Sequence, residues 1–375
     1  MRVLVDATAI PADRGGVGRY VDALLPALVR AGLDLVVVCQ SRDAGATAAL
    51  VPAAEVVAAP STISRRPARM AWEQVLLPGL VRSTGAQVLH SPHYTMPLRA
   101  AVPVVVTLHD ATFFSHPQLH SPLKARFFRS AIRSAVHRAA GVVVPSRATQ
   151  TEVQRFVGGA DTLFHVAYHG VDTSLFRPVD DEEKARVRGA LGLGEMSYVG
   201  FLGTLEPRKN VPALVRAWVS AVDGLERPPA LVLAGGPGWD DGVAPALAAV
   251  PSNLHAAQVG YLPLSDLAGF LAGSEVLAYP SLGEGFGLPV LEAMACGAAV
   301  LTTRELSLPE VGGDAVAYCG TEDAEIATAL RALLEDPPRR RALSEAAVRR
   351  AAGFTWDAAA VVHLEAYEQA LRSVS

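Results

Sequence analysis

Glu284 and Glu292 stand eight residues apart in GEGFGLPVLEA and are the only charged residues between Ser281 and Val300. A carboxylate accepts hydrogen bonds from hydroxyls, and its two oxygens suit a vicinal diol. Phosphate is a poor direct partner for either acid, because like charges repel. Pro289 suits the first turn of a helix and Gly297 its C-terminal stop, so PVLEAMAC is expected as a short helix. The N–H groups of Gly287 and Leu288 would then point at a ligand. Glu292 alone also reads as an acid matched to a helix dipole.

A complementary pair lies upstream. In GTLEPRKN (Gly203–Asn210), Arg208 and Lys209 are expected at the start of the helix VPALVRAWV. Cations there oppose the helix macrodipole. That mismatch points to a bound anion, most simply a pyrophosphate held by a guanidinium fork and an ammonium; the alternative is a solvated pair. Acids for hydroxyls and cations for phosphates together suggest a sugar nucleotide.

Two further segments carry chemistry. GGVGRY (Gly15–Tyr20) is expected to lie between a first strand and the helix YVDALLPALVRAG, its glycines letting backbone N–H groups approach an anion; a plain tight turn is the rival. A dinucleotide fingerprint fits poorly, since Val21 stands where a third glycine belongs and Gln40 ends the second strand without an acid. His109 and Asp110 close the run PVVVTLHD, where His109 is either a partner for a sugar hydroxyl or a buried structural histidine. There is no D-x-D and no H-E-x-x-H, so no metal is expected, and no G-x-S-x-G suggests a serine hydrolase.

These segments need strands to position them. RVLVDA, LDLVVVCQ, AQVLHS, PVVVTLHD and GVVVPS are strand candidates in the first half; SYVGFLGT, ALVLAGG, NLHAAQVGY, EVLAYPS and AAVLTT follow in the second. Continuous apolar runs imply parallel strands covered on both faces, and their alternation with helices predicts two doubly wound α/β domains facing an interdomain cleft. At 375 residues the chain is too long for one core. The expected division is an N-terminal domain over 1–170, a nucleotide-sugar-binding domain over 171–355, and a closing helix over 356–375 packing back on the first. The junction is placed in HVAYHGVDTSLFRPVDDEE, residues 165–183. No apolar run approaches the ~18 residues of a membrane span. The N-terminus lacks a signal-peptide layout, and three scattered cysteines (Cys39, Cys296, Cys319) read as buried thiols of a cytoplasmic protein.

Charge is unevenly distributed. Residues 1–170 carry net +7 and residues 171–375 net −11. From Ala111 to Thr151 there is no acid, and SPLKARFFRSAIRSAVHRAAG should present Lys124, Arg126, Arg129 and Arg133 on a helix with Phe127 and Phe128 beside them. That is either a solvated face or a surface for an anionic membrane or phosphorylated acceptor. No nucleic-acid motif is present.

Taken in this order, the glycine loop Gly15-Gly16, His109-Asp110, HGVDTSLFRP, GTLEPRKN and the Glu-x7-Glu segment make the chain resemble glycosyltransferase family 4, retaining enzymes of the GT-B architecture. The resemblance implies that Arg208 and Lys209 bind the donor pyrophosphate, with Gly203 and Thr204 beside it and Gly15 and Gly16 approaching from the other domain. Glu284 would sit by the transferred sugar and Glu292 on the nucleotide ribose. Backbone N–H groups of Phe286, Gly287 and Leu288 would hold sugar hydroxyls and phosphate, and His109 would contact the donor sugar near its reacting carbon. Thr204 departs from the arginine many members carry there, so phosphate contacts are expected to differ.

GTLEPRKN with GRY is most similar to bacterial mannosyltransferases of polysaccharides and glycolipids. It implies GDP-mannose as donor, with UDP-hexoses next, a glycan or lipid-linked acceptor, and no cofactor or metal requirement. The corresponding expectation is a cytoplasmic enzyme, with a peripheral place on the inner face of the plasma membrane as its extension. A GT-B epimerase, a phosphorylase or a sugar-nucleotide sensor would share the donor site. A pyridoxal phosphate enzyme would need a cofactor lysine among only three, Lys124, Lys184 and Lys209.

Overall fold

Runs of aliphatic and β-branched residues form strands buried on both faces, and the chain sorts them into two parallel sheets. The computed structural model describes residues 1–12 and 14–373. It divides into two units, Met1–Gly170 with the chain from Thr355 onward, and Val171–Phe354.

Unit 1 is built on β1 (Arg2–Asp6), β2 (Asp34–Gln40), β3 (Glu55–Ala59), β4 (Val88–Ser91), β5 (Val104–Thr107), β6 (Gly141–Val144) and β7 (Phe164–Val166). Their order is β3-β2-β1-β4-β5-β6-β7, with every pairing parallel. The winding reverses between β1 and β4, which leaves a crevice at the carboxyl ends of those strands. One sheet face sends Leu4, Val36, Leu89, Val106 and Val144 into a core with Trp72, Tyr94 and Ile132. The other, with His90 and Thr107, meets the helices Gly15–Arg30 and Trp356–Arg372. The closing helix thus packs on β4 to β7 although it comes last in the chain. Gly170 lies against its first turn so closely that a Cβ there would sit 2.2 Å from the Trp356 nitrogen.

Unit 2 repeats the plan with β8 (Tyr198–Leu202), β9 (Ala230–Ala234), β10 (Ala256–Gly260), β11 (Val276–Tyr279), β12 (Val300–Thr303) and β13 (Ala317–Cys319). The order is β10-β9-β8-β11-β12-β13, all parallel, with the reversal between β8 and β11. Among the described residues no helix is long and apolar enough to cross a membrane.

Three strands fall outside the expected runs. β3, β7 and β13 are all sheet edges of three to five residues, and β7 lies partly inside the stretch read as the junction. The segment GGVGRY also differs from expectation. The helix begins at Gly15 rather than after the glycines, and the Gly18 N–H already donates to the Arg14 carbonyl at 2.7 Å. Arg14, itself at φ 59, anchors this entry through an ion pair with Asp22.

Candidate active site

The reversal in unit 2 gathers the two loaded loops. β8 runs out through Gly203 and Thr204, and β11 runs out toward Ser281 and Glu284. Arg208 and Lys209 are not in the following helix. They form a single 3-10 turn, Pro207–Lys209, and Asn210 at φ 58 redirects the chain into the helix Val211–Val222. The Leu282 N–H donates to the Arg208 carbonyl at 2.8 Å, tying the turn to the glutamate loop.

The two cations are not a solvated pair. Lys209 is buried, and its Nζ donates to Glu284 Oε1 at 2.5 Å and to the Tyr279 hydroxyl. Arg208 donates through Nη1 to Glu284 Oε2 at 2.5 Å and to the Gly283 carbonyl at 2.9 Å, and through Nη2 to Glu206 at 2.7 Å. Ser281 Oγ (2.6 Å) and the Tyr279 hydroxyl (3.0 Å) complete the shell of Glu284 Oε1. Burial alone would raise the Glu284 carboxyl, but Arg208 and Lys209 outweigh it and bring it down to about 2. Burial and the neighbouring guanidinium lower the Lys209 ammonium, against the pull of Glu284 and Glu206. Burial, then the Glu284 charge, keeps the Tyr279 phenol protonated and therefore a donor. The Glu284 oxygens, expected to accept from ligand hydroxyls, accept here from four protein donors: Arg208, Lys209, Tyr279 and Ser281.

The second glutamate stands differently. Gly287, at φ 106, turns the chain into the helix Leu288–Ala295, and a Cβ there would also lie 2.9 Å from Leu308. Pro289 occupies the first turn, and Glu292 is buried in an otherwise apolar helix. The Ser307 hydroxyl lies 2.8 Å from the Glu284 carbonyl and 2.9 Å from that of Phe286, so it pins this loop from the next connection.

Sequence reading missed four contributors here. Glu206, Tyr279 and Ser281 complete the charged cluster, and Ser307 holds the loop. Another lies in the loop after β9. Gly238, at φ 62, presses on the Leu205 carbonyl, where a Cβ would come within 1.9 Å. Leu205 in turn donates to the Gly236 carbonyl at 3.0 Å, fixing the exit of β8 beyond Gly203 and Thr204. The run GGPG in the sequence was the available signal.

In unit 1, β5 ends at Thr107, so His109 and Asp110 lie just beyond it. His109 Nε2 is 2.7 Å from the Pro92 carbonyl, which only accepts, so Nε2 carries the proton and Nδ1 of the neutral ring is an acceptor suited to a hydroxyl. Burial lowers the His109 pKa against the opposing effects of that carbonyl and Asp110. Tyr20, His93, Tyr94 and His169 surround the ring, with Tyr20 edge-on at 5.0 Å. Asp110 instead closes a local turn, accepting from the Thr112 N–H and hydroxyl. Gly15 and Gly16 have open space where a Cβ would stand.

The basic segment forms the helix Pro122–Arg138, capped by the Ser121 hydroxyl. Its two faces do not match the expectation. Phe128 is packed inward, stacked on Phe113 at 4.5 Å and edge-on to Tyr94 and His93, so it is not available for insertion. Arg129 turns in to donate to the Phe113 carbonyl at 2.6 Å. Phe127 is half-buried with its edge to Phe128. Lys124, Arg126 and Arg133 are exposed, Arg126 and Arg133 on one side of the helix with Leu123, which is 80% exposed and was not singled out by sequence, and Lys124 on the side of Phe128.

Two histidine pairs, His116/His120 and His165/His169, have four-residue spacing, but neither pair lies along one helix. Among the described residues no three His, Cys, Asp or Glu side chains are grouped to hold a metal ion.

Residues 14–175 match the model of Glycosyltransferase Family 4, and residues 184–350 match that of Glycosyl transferases group 1. The chain is 31% identical over 309 residues to an O-antigen chain mannosyltransferase B of Escherichia coli, spanning 80% of this chain and 77% of that protein. It is 35% identical over 217 residues to a D-inositol 3-phosphate glycosyltransferase of Mycolicibacterium paratuberculosis, spanning 55% of this chain and about half (47%) of that one. The solved sucrose-phosphate synthase of Thermosynechococcus elongatus shares the fold over 100% of both chains, with a TM-score of 0.77 at 20% identity.

Proposed function

The chain belongs to glycosyltransferase family 4 and has the GT-B fold, and from that premise we propose that it transfers mannose from GDP-mannose with retention of configuration. The observation that carries this reading is the Arg208–Lys209–Glu284 cluster at the strand reversal of unit 2. Two cations positioned there meet a pyrophosphate, and the Gly287 and Leu288 N–H groups at the start of the helix Leu288–Ala295 add donors, since Pro289 has no N–H and Val290 and Leu291 already donate to the Gly287 carbonyl. Glu292 accepts from the ribose. Glu284 holds both cations in place and exchanges part of its shell for sugar hydroxyls when the donor arrives. The mannose preference follows the resemblance to mannosyltransferases, and the acceptor is a glycan or lipid-linked glycan of the cell envelope.

In the proposed reaction, the bond from the sugar's anomeric carbon to the pyrophosphate oxygen breaks as the bond to an acceptor hydroxyl oxygen forms on the same face. The acceptor proton passes to the departing phosphate, whose growing charge Arg208 and Lys209 stabilise. His109 Nδ1 accepts from a sugar hydroxyl. No protein base and no metal enters these steps.

The test is nucleotide release and product analysis with GDP-mannose, UDP-glucose and UDP-N-acetylglucosamine, each with and without EDTA. GDP-mannose should give GDP and an α-linked product at an undiminished rate in EDTA. Turnover of UDP-sugars alone overturns the donor, metal-rescued loss overturns the charge assignment, and an inverted product overturns the stereochemistry.

The exposed face with Leu123, Arg126 and Arg133, and the exposed Lys124 in the first turn of the same helix, support docking on an anionic membrane surface. Each basic residue near such a surface contributes about 1 kcal/mol, so replacing the three with Gln should weaken partitioning to phosphatidylglycerol vesicles by roughly 100-fold at low salt. Equal sedimentation of wild type with neutral and anionic vesicles would leave these residues solvated only.

A further inference from the structure

The side of the unit 1 sheet opposite its main core contains a line of buried polar groups that the transfer reaction does not use. Tyr367 Oη is 2.9 Å from His90 Nδ1, and His90 Nε2 is 2.9 Å from Thr107 Oγ1. Thr107 Oγ1 is 3.0 Å from Tyr20 Oη, which is 2.7 Å from His363 Nε2. His363 Nδ1 ends the line 2.7 Å from the Ala359 carbonyl. All five side chains are essentially inaccessible to solvent.

Elementary donor counting gives this line one direction. The Ala359 carbonyl only accepts, so His363 carries its proton on Nδ1, and its Nε2, in the neutral ring, accepts. Tyr20 must then donate to His363 and can only accept from Thr107. Thr107, its single proton spent on Tyr20, must accept from His90 Nε2–H. His90 Nδ1 then accepts from Tyr367. Each proton is used once and none is left over. The arrangement requires both imidazoles to be neutral, and burial favours that, lowering His363 to about 4 and His90 well below its usual value.

The line joins what the candidate site needs held. Tyr20 lies in the helix that starts with Gly15 and Gly16, Thr107 is two residues before His109, and His363 and Tyr367 belong to the closing helix. The Tyr20 ring also forms one wall of the His109 site. We propose that the closing helix acts, through the directed line Tyr367–His90–Thr107–Tyr20–His363, to hold His109 in register, making Tyr20 a positioning residue for the transfer. This rests on the glycosyltransferase reading given above. Removing the Tyr20 hydroxyl strands the Thr107 proton and the His363 lone pair in a site buried from solvent, and the elements they join must shift. A displacement near 1 Å at a reacting centre is enough to slow turnover by about 100-fold.

The experiment pairs Tyr20→Phe with Tyr198→Phe, which removes a buried hydroxyl from unit 2 that donates to the Phe270 carbonyl at 2.6 Å. With a sugar nucleotide that wild type turns over, Tyr20→Phe should lower kcat by about 10-fold or more while donor KM stays within about twofold. Tyr198→Phe should lower Tm and leave kcat unchanged. Independently of activity, side-chain 15N spectra of the wild-type protein at pH 7 should show His363 as the Nδ1–H tautomer and His90 and His109 as Nε2–H. Tyr20→Phe should shift the His109 signals, and Tyr198→Phe should not. A wild-type His363 that is Nε2–H or cationic overturns the directed line. Unchanged kcat and unchanged His109 signals in Tyr20→Phe overturn the positioning role. A protein that turns over no sugar nucleotide yet shows the stated tautomers overturns the transfer reading and leaves the line standing.

Discussion

The two units each bury a polar network beside the strand reversal, and the networks are built on opposite principles. In unit 1 the groups are neutral: two histidines, two tyrosines and a threonine share protons in one direction. In unit 2 they are charged: Arg208 and Lys209 balance Glu206 and Glu284. A neutral network of this kind is satisfied by itself and offers an arriving ligand no charge, so it fixes geometry. A balanced charged network can be unbalanced by a ligand. A pyrophosphate that takes over one cation competes directly with a glutamate. The difference assigns rigidity to one unit and exchange to the other.

The largest effect should come from breaking the charged network. Lys209→Ala removes an ammonium held by Glu284 and leaves that carboxylate with Arg208 as its one cation, beside the Ser281 and Tyr279 hydroxyls. Turnover should fall by about 100-fold or more, the scale for losing one positioned electrostatic group. Lys184→Ala, which loses only a surface pair with Asp181, should match wild type. Equal rates for the two variants in a nucleotide-release assay would remove the phosphate role from Lys209.

Acid should separate the units. Burial lowers His90, His93, His109, His169 and His363, all in unit 1, with His93 brought to about 3 and His363 to about 4. Below the unfolded value near 6.5 the unfolded chain binds protons that the folded unit refuses. Stability therefore falls as pH drops from about 6.5 toward the folded values, by about 1.4 kcal/mol per pH unit for each such histidine. Asp6 works the other way, since burial raises its carboxyl. In unit 2 the matching group is Glu284, held to about 2 from an ordinary 4.5, so its contribution is complete above 4.5 and is lost as pH falls through about 2. Unit 1 should open first. Hydrogen exchange at pH 5, corrected for intrinsic rates and set against pH 7, should accelerate in β4 and β5 more than in β8 and β11. The reverse order would break the contrast between the networks.

What was legible in the sequence tracks the same physics. Central strands such as β1, β5, β8 and β11 are unbroken apolar runs because both faces are covered, and they were readable. β3, β7 and β13 pair on one side only, so EVVAA, FHV and AYC carry too little apolar signal to stand out. Arg208, Lys209, Glu284 and Glu292 were visible because charge in an apolar stretch is conspicuous. Their mutual contact was not, since 76 residues separate Arg208 from Glu284 and only the β8–β11 neighbourhood brings them together. His90, Thr107 and His363 gave no signal, because each alone reads as an ordinary core residue, and Tyr20 was visible only as the end of GGVGRY, not as a partner of theirs. The inward turn of Phe128 was hidden for a related reason: adjacent phenylalanines on a helix point about 100° apart, and sequence does not say which one meets the core.

The smallest effect should come from the other glutamate of the motif. Glu284 accepts from four protein donors in the loop, and Glu292 lies buried in the helix that follows it. Glu284→Gln would leave the buried Lys209 and the half-buried Arg208 undercompensated and disturb the whole cluster. Glu292→Gln keeps volume and one acceptor oxygen and would replace the proposed charge-assisted bonds to the ribose by neutral ones, a difference of about 1 kcal/mol. Donor KM should rise about fivefold, with kcat within twofold and Tm close to wild type. Because the ribose is remote from the breaking bond, its loss is shared by ground state and transition state, and it belongs in KM. Steady-state kinetics with varied donor decides this. A fall in kcat at unchanged KM would move Glu292 from the nucleotide to the reacting sugar.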